Sequence, residues 1–217
     1  MVEVIWHGHA CFELRGIRVT VVFDPFKGIG LPEPKADADV VLCSHSHRDH
    51  NNAKPVLKSG GVILEGFVGS REIQDVAVNG TATFHDATGG SQRGQNSVYV
   101  VQLDGLAFCH LGDLGHDLTT EQITELGAND VLFVPVGGGP TIGPEVAAVI
   151  VERLKPTITV PMHYNMGIPG MPEFFNRLNH VGDFLKGKTN VKKLESRSFE
   201  VTKAKLPKEP TIIVPHF

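Results

Sequence analysis

The segment Ser44-His45-Ser46-His47-Arg48-Asp49-His50 decides the interpretation of this chain, because it places three imidazoles and one carboxylate within six consecutive positions. A soluble protein has little structural reason to concentrate these side chains, whereas they are common ligands of divalent metal ions. In extended backbone, side chains two positions apart point the same way, so His45 and His47 are placed to bind one ion. Asp49 and His50 follow at the turn and reach the other side of the pocket. The segment therefore predicts a site for two ions, and the alternative is a solvated polar loop.

A site for two ions needs more ligands than one loop supplies, and three strand-like runs downstream each end near a further candidate. These candidates are His85 after residues 81–84, Asp113 after the apolar run 106–112, and His163 after residues 157–162. Because each follows a predicted strand, we expect them to meet the first loop at one edge of a sheet. The solvated-loop alternative leaves their placement unexplained.

This order of ligands, HxHxDH followed by His, Asp and His, resembles that of the metallo-β-lactamase superfamily over nearly the whole chain. The flanking residues are most similar to its small, cap-less branch, which includes ascorbate-phosphate lactonase-like proteins and other metal-dependent hydrolases. Four segments carry that resemblance: WHGHACF at residues 6–12, FDPF at 23–26, HLGD at 110–113 and PMHY at 161–164.

The resemblance implies both a fold and a set of ligands. The fold is α/β (α+β), a four-layer αβ/βα sandwich of two packed mixed β-sheets with helices outside, in one domain over residues 1–217. The implied ligands are His45, His47 and His85 for the first ion, Asp49, His50 and His163 for the second, and Asp113 as the bridge.

The expected cofactor is two divalent metal ions, with zinc preferred and manganese, iron or nickel also compatible with these nitrogen and oxygen donors. Two ions about 3.5–4 Å apart share a water and lower its pKa towards about 7, which supplies hydroxide at neutral pH. Such ions also polarise a carbonyl or phosphoryl oxygen, so ester, lactone and phosphodiester bonds are all candidate substrates. Position 47 carries Glu in diiron oxygen-reducing relatives, and the histidine here favours hydrolysis.

Beyond metal binding, we expect catalytic roles for Asp49, Asp113, His9 and His110. Asp49 is a candidate general acid as well as a ligand, with His9 and His110 as the other candidates for that proton. The resemblance places His9 near the metals, where a structural role is the alternative.

Three further charged residues flank the predicted site. Asp24 ends a strand-like run, and we expect its carboxylate to accept the free N–H of a ligating imidazole. Arg48 and Arg93 lie beside site-forming loops, where either is placed to anchor an anionic substrate, and a plain solvent-exposed role is the alternative.

Composition restricts the partners. The net charge of −4 over 217 residues and the lack of a Lys/Arg block argue against nucleic acid. No apolar run approaches the roughly 18 residues of a membrane span, and no signal peptide is evident, so we expect a cytoplasmic protein without a membrane partner. The expected partner is a small-molecule substrate, with an anionic one favoured by the two arginines. The alternatives are a non-catalytic metal-binding or regulatory protein that keeps the fold, and an RNA-processing phosphodiesterase.

Hydrophobic periodicity and turn residues predict the main elements. The predicted strands are residues 2–6, 11–15, 17–23, 39–43, 62–65 and 131–136, together with the hairpin 97–103 and 106–110 around Asp104-Gly105. The predicted helices are residues 52–58, a helix capped by Thr119 that ends at Leu126, and residues 144–154. Residues 72–78 are compatible with either a strand or a helix.

Overall fold

The strands form two mixed β-sheets, and the computed structural model describes all residues from 1 to 217. The six-stranded sheet consists of β1 (Val2–Gly8), β2 (Cys11–Arg15), β3 (Thr20–Phe23), β4 (Ala38–Cys43), β5 (Leu57–Glu65) and β13 (Ser198–Val201). The eight-stranded sheet consists of β6 (Gly69–Ile73), β7 (Val76–Phe84), β8 (Gln95–Leu103), β9 (Leu106–His110), β10 (Val131–Pro135), β11 (Ile158–Met162), β12 (Val191–Lys193) and β14 (Thr211–Val214). The strand order is β13-β1-β2-β3-β4-β5 across the six-stranded sheet and β12-β14-β11-β10-β9-β8-β7-β6 across the eight-stranded sheet.

Four helices accompany the sheets: α1 (Thr120–Leu126), α2 (Pro144–Leu154), α3 (Glu173–Asn176) and α4 (Val181–Leu185). Helix α2 buries Ala147, Ile150 and Leu154 in the main core of 45 residues, to which both sheets contribute. On the outer face of the six-stranded sheet, a second cluster of 13 residues is covered mainly by loop residues such as Phe26 and by Phe175 of α3. This arrangement is the expected sandwich, although its outer layer on that side is mostly loop.

Strand β4 shows why the six-stranded sheet is buried on both faces. Val40 and Leu42 point into the main core, whereas Ala38, Val41 and Cys43 point into the second cluster. A strand covered on both sides is typically a continuous apolar run, as residues 40–43 are here, and the residues after it are then held by a rigid element.

Strand directions bring the ends of six strands to one edge. Strands β1 and β3 both run antiparallel to β2, and β3 pairs with β4 in parallel. Strands β7 and β9 both run antiparallel to β8, and β9, β10 and β11 are parallel. The carboxyl ends of β1, β3, β4, β7, β9 and β11 are followed by His9, Asp24, the segment 44–50, His85, Asp113 and His163.

Most element predictions are confirmed. Thr119 caps α1 in a capping box with Gln122, and α2 has the predicted bounds. The hairpin of β8 and β9 turns at Asp104, whose φ of 50° is typical of such tight turns. The ambiguous residues 72–78 lie in a second hairpin, formed by β6 and β7. No helix is long and apolar enough to cross a bilayer.

The predicted helix at residues 52–58 is wrong. Only the single 3₁₀ turn Lys54–Val56 forms, and the chain then enters β5, which pairs with β4 in parallel. Pro55 suits the start of a turn, but Gly60 and Gly61 disfavour continuation of a helix. Strands β12, β13 and β14 were not predicted, because their short runs lack a distinctive pattern.

Tyr99 of β8 connects the two sheets through its hydroxyl group. The side chain is fully buried, and its hydroxyl donates to the carbonyl oxygen of Cys43 and accepts from the N–H of Phe67, both at 3.0 Å. Because Cys43 ends β4, this contact holds the strand end from which the segment 44–50 begins.

Replacement of Tyr99 by Phe should lower the free energy of unfolding by about 1–3 kcal/mol, because the N–H of Phe67 loses its partner and the carbonyl oxygen of Cys43 keeps only the N–H of Gly66. Urea denaturation measures this loss. The control is Tyr164→Phe, at the chain's other tyrosine, whose hydroxyl has no hydrogen bond within the protein; there we expect about 0.5 kcal/mol or less. Equal losses in the two variants would contradict the proposed connection.

Candidate metal centre

Asp113 lies at the centre of a buried cluster of imidazoles. Its Oδ2 atom is 3.3 Å from Nε2 of His50, of His85 and of His163, and 4.0 Å from Nε2 of His45. Burial would raise the pKa of Asp113, but His163 and His50 hold it well below its usual value. A carboxylate oxygen with imidazoles on several sides is placed to be shared between two cations.

Two groups of three imidazoles lie around Asp113, and they adjoin each other, since the ligand atoms of His45, His50 and Asp113 also lie within 4.8 Å of one another. The ligand atoms of His45, His47 and His85 lie within 4.8 Å of one another, and so do those of His9, His50 and His163. Within these groups His45 Nε2 is 2.9 Å from His47 Nδ1, and His9 Nε2 is 3.1 Å from His50 Nε2. Six of the seven predicted ligands meet here, together with His9, whereas Asp49 lies at the edge, with its Oδ2 3.7 Å from His9 Nε2 and 4.0 Å from His50 Nε2.

These separations match a metal site. Ligand atoms around a tetrahedral ion with bonds of 2.0–2.1 Å lie about 3.3 Å apart, close to the values at Asp113. Buried polar atoms without a hydrogen-bond partner include Nδ1 of His85, Nδ1 of His163 and Oδ1 of Asp113. Buried polar atoms are nearly always paired, so the free Oδ1 of Asp113 is open to a cation, whereas on His85 and His163 the candidate ligand atom is Nε2, which faces Asp113. The side chains present therefore fit divalent metal ions.

Asp24 orients imidazoles of both groups. Its Oδ2 accepts from His50 Nδ1 at 2.9 Å and from the hydroxyl of Ser44 at 2.7 Å, while its Oδ1 accepts from the N–H of Ser44. Because the Ser44 hydroxyl donates its proton to Asp24, the hydroxyl oxygen is left to accept from His45 Nδ1 at 2.9 Å. These bonds leave Nε2 of His45 and of His50 free to bind a metal, which is the usual role of a carboxylate behind a ligand.

Burial and charge set the protonation of the cluster. Burial, together with His50, lowers the pKa of His45 to about 3, and burial together with His163 lowers the pKa of His9 to about 4. Burial would also lower the pKa of His50, but Asp113 and Asp24 raise it well above its usual value. His45 and His9 are therefore neutral and have lone pairs available for a metal. The negative charges of Asp113 and Asp24 favour a cation most strongly at His50.

Three residues of the site have strained backbones. His9, Asp24 and His163 have φ values of 53°, 44° and 50°, in the left-handed region that residues other than glycine rarely adopt. Such strain costs about 1–3 kcal/mol per residue and is concentrated at functional sites. Each follows directly after a strand, so the strain turns the side chain into the site.

The sequence analysis missed Asn96, which positions Asp113. Its side chain accepts from the N–H of Asp113 at 2.9 Å and donates to Thr83 Oγ1 and to the carbonyl of Leu111. Gly112 has a φ of 57°, and a Cβ there would lie 2.4 Å from Asn96 Oδ1. No local pattern marks an asparagine on a strand as a support of this kind.

His110 and Asp49 occupy different places from those expected of proton donors. His110 is fully buried; its Nε2 donates to the carbonyl of Ala10 and its Nδ1 accepts from the N–H of Gly112. Both ring nitrogens of His110 therefore have partners within the protein, an arrangement that favours a positioning role over the expected catalytic one. The pKa of Asp49 would be raised by burial but is lowered by His9 and His50, so it is an anion suited to metal binding.

A polar cavity of about 360 Å³ opens beside the exposed His47. No apolar side chain lines it, and Arg93 is its only lining cation, whereas Arg48 is exposed outside it. The backbone of Arg93 is held by Asp86, whose carboxylate also accepts from the N–H groups of Thr88, Gly90 and Gln92. The cavity is therefore suited to a polar ligand.

Comparisons with known proteins agree with this geometry. A family model described as a beta-lactamase superfamily domain matches residues 3–163. A metal-dependent hydrolase of Pyrococcus abyssi is 34% identical over 216 residues, covering 86% of this chain and 95% of that protein. A solved structure from Thermotoga maritima, assigned to the zinc-dependent hydrolases of the metallo-β-lactamase superfamily, is 35% identical, with a TM-score of 0.83 over 99% of this chain and 98% of the other. A metallo hydrolase of Ignicoccus hospitalis, 23% identical with a TM-score of 0.60 over 78% of this chain and 85% of that one, shares the fold.

Replacement of Asp24 by Asn should lower metal affinity roughly 10- to 100-fold. Asn has an NH2 group where Asp24 has one of its two accepting oxygens, so at least one of the donors from Ser44 and His50 then faces another donor, and His45 and His50 lose their orientation. Competition with a chromophoric chelator measures the affinity.

The control for that measurement is Asp130→Asn, which alters a buried carboxylate that accepts from the N–H of Ala107 away from the cluster. It should lower stability and leave metal affinity unchanged. Equal affinity losses in the two variants would show that Asp24 acts through general stability alone.

Proposed function

The chain belongs to the metallo-β-lactamase superfamily and is a metal-dependent hydrolase, and we propose that it uses two divalent ions. The proposed substrate is a small polar molecule with an ester, lactone or phosphodiester bond, and zinc is the proposed metal ahead of manganese, iron and nickel. The proposed ligands are His45, His47 and His85 for one ion, Asp49, His50 and His163 for the other, and Asp113 between them.

One observation carries the proposal of two ions. The Oδ2 atom of Asp113 is 3.3 Å from Nε2 of His85, in one imidazole group, and 3.3 Å from Nε2 of His163, in the other. A single tetrahedral ion uses four ligands, which is fewer than this cluster offers. Two ions that share the carboxylate oxygen of Asp113 would use the ligands that one ion leaves over.

The residues of the chain prepare the site for hydrolysis. When bound, two divalent ions supply a water that ionises near neutral pH and a Lewis acid for the oxygen of the scissile bond. Asp24 fixes the imidazoles of His45 and His50, and the left-handed backbones at the strand ends turn His9, Asp24 and His163 into the site. His47 is the exposed member of the cluster, so substrate approaches from the side of the polar cavity.

The cavity supports a polar substrate with an anionic group. It has no apolar lining, and its charged side chains are one cation, Arg93, whose backbone is held by Asp86, and one carboxylate, Glu65. An anionic group of the substrate would therefore be bound by Arg93 and the metal ions. The resemblance of the flanking segments to ascorbate-phosphate lactonase-like proteins is in keeping with such a substrate. The net charge of −4 disfavours long polyanions such as RNA.

A panel of lactones, carboxylic esters and phosphodiesters, each as an anionic and a neutral member, tests the proposed function. We expect the metal-loaded protein to hydrolyse anionic members, and activity to disappear after chelation and return on reloading. Cleavage of RNA in place of the small molecules would identify the RNA-processing alternative. Metal binding without turnover on any member would favour the regulatory alternative.

The wild-type protein should bind two divalent ions per chain, Asp113→Ala should retain neither tightly, and His163→Asn should retain one. The Oδ2 atom of Asp113 lies against both imidazole groups, and Asn tolerates the left-handed backbone of position 163. Elemental analysis after loading and desalting measures the stoichiometry. A wild-type value that never exceeds one, or full retention of both ions in Asp113→Ala, would contradict the shared carboxylate.

Replacement of Arg93 by Gln should raise KM for an anionic substrate roughly fivefold, as expected for loss of a partly exposed charge pair worth about 1 kcal/mol. The value of kcat and the KM of the neutral analogue should change little. Arg48→Gln is the matched control, because Arg48 is exposed nearby but does not line the cavity. Equal effects of the two substitutions would show a general electrostatic effect without a specific contact.

A further inference from the structure

His9 is held in the cluster far more rigidly than a substrate-contacting side chain requires. It follows β1 with a φ of 53°, and only 2% of its surface is exposed. Its carbonyl oxygen accepts from Trp6 Nε1 at 3.1 Å and from the N–H of His163 at 3.3 Å. The backbone of His9 is therefore tied directly to that of a proposed ligand.

The ring of His9 points towards the second imidazole group. Its Nε2 is 3.1 Å from His50 Nε2 and 3.7 Å from Asp49 Oδ2, and its ring centroid is 4.2 Å from that of His163. The 3.1 Å separation is close to the roughly 3.3 Å expected between two ligands of one tetrahedral ion.

The alternative for this contact is a hydrogen bond between two imidazoles. His50 donates its Nδ1–H to Asp24, so Nε2 is its only nitrogen able to bind a metal. An N–H of His9 directed at that atom would occupy the lone pair and exclude His50 from the site. If His50 binds an ion, His9 directs either a lone pair towards that ion or an N–H towards Asp49 Oδ2, and the 3.1 Å separation from His50 against 3.7 Å from Asp49 favours the lone pair.

The surroundings of His9 favour the same assignment. The ring contacts Phe175 edge-on with centroids 5.1 Å apart, and Phe26 lies at 6.4 Å. With only 1% of its side chain exposed, the His9 ring is kept from water, and a dry environment strengthens its interaction with a cation.

We propose that His9 is a metal ligand of the second ion, beside His50 and His163. Each ion then has three imidazoles from the chain and shares Asp113, and Asp49, with 27% of its side chain exposed, lies at the rim of the second site. This inference rests on the proposed two-ion function and adds a ligand to it.

Anomalous diffraction from crystals of wild-type protein loaded with zinc tests the assignment directly. We expect two peaks per chain and a distance of about 2.0–2.1 Å from His9 Nε2 to the second ion. Two peaks with His9 hydrogen-bonded to His50 and more than about 3 Å from either ion would overturn this inference alone. Fewer than two peaks at full loading would overturn the proposed two-ion function itself.

A substitution provides a second, independent test. His9→Asn keeps a residue that tolerates left-handed backbone, and it should weaken binding of the second ion by more than about 100-fold, beyond the loss typical of an orienting residue. The first ion should remain bound. His7→Asn is the matched control, because His7 lies two positions away on β1 and hydrogen-bonds Glu13 at 2.8 Å; it should bind both ions as wild type does.

Comparison of His9→Asn with His7→Asn also shows whether His9 binds the metal or only supports the fold. Thermal denaturation of both metal-free proteins measures any general loss of stability. Unchanged binding of two ions by folded His9→Asn would overturn the inference. If that variant does not fold, the distance measured in the wild-type crystals decides.

Discussion

The buried carboxylate of Asp24 is the interaction on which the rest of the metal centre depends. Burying a charge costs several kcal/mol unless hydrogen bonds compensate, so Asp24 requires the donors that surround it. Those donors are the backbone and hydroxyl of Ser44 and Nδ1 of His50. Asp24 lies at the end of β3, and its donors belong to the segment that follows β4. The hydrogen bonds that satisfy Asp24 therefore also fix the conformation of that segment. The orientation of His45 follows from it through Ser44.

This constraint operates because the two sheets bring their strand ends together. The parallel relationship of β1, β3 and β4, and of β7, β9 and β11, places every candidate ligand at one edge of the sandwich. The main core of 45 residues holds those ends in place while His9, Asp24 and His163 adopt strained backbones. Packing of the core thus offsets the strain and keeps the ligands in fixed positions. A hydrolytic metal site requires ligands that are positioned in advance in this way.

Local patterns in the sequence were sufficient for several parts of this account. The HxHxDH segment and the strand-end positions of His85, Asp113 and His163 are predictable because ligand spacing and strand periodicity are both local properties. Long-range contacts were not predictable in this way. His9 and His50 are 41 positions apart, and their contact depends on the order of strands in the sheet. Asn96 supports Asp113 from another strand, and the helix predicted at residues 52–58 gave way to pairing of β5 with β4.

The central claim is that one carboxylate, Asp113, is shared by two metal ions. Electron paramagnetic resonance of protein loaded with two equivalents of manganese measures this most directly, because ions that share a carboxylate oxygen couple their spins. The account predicts an exchange-coupled spectrum in the wild-type protein that is lost in Asp113→Ala. A spectrum of isolated, uncoupled manganese at full loading of the wild-type protein would contradict it.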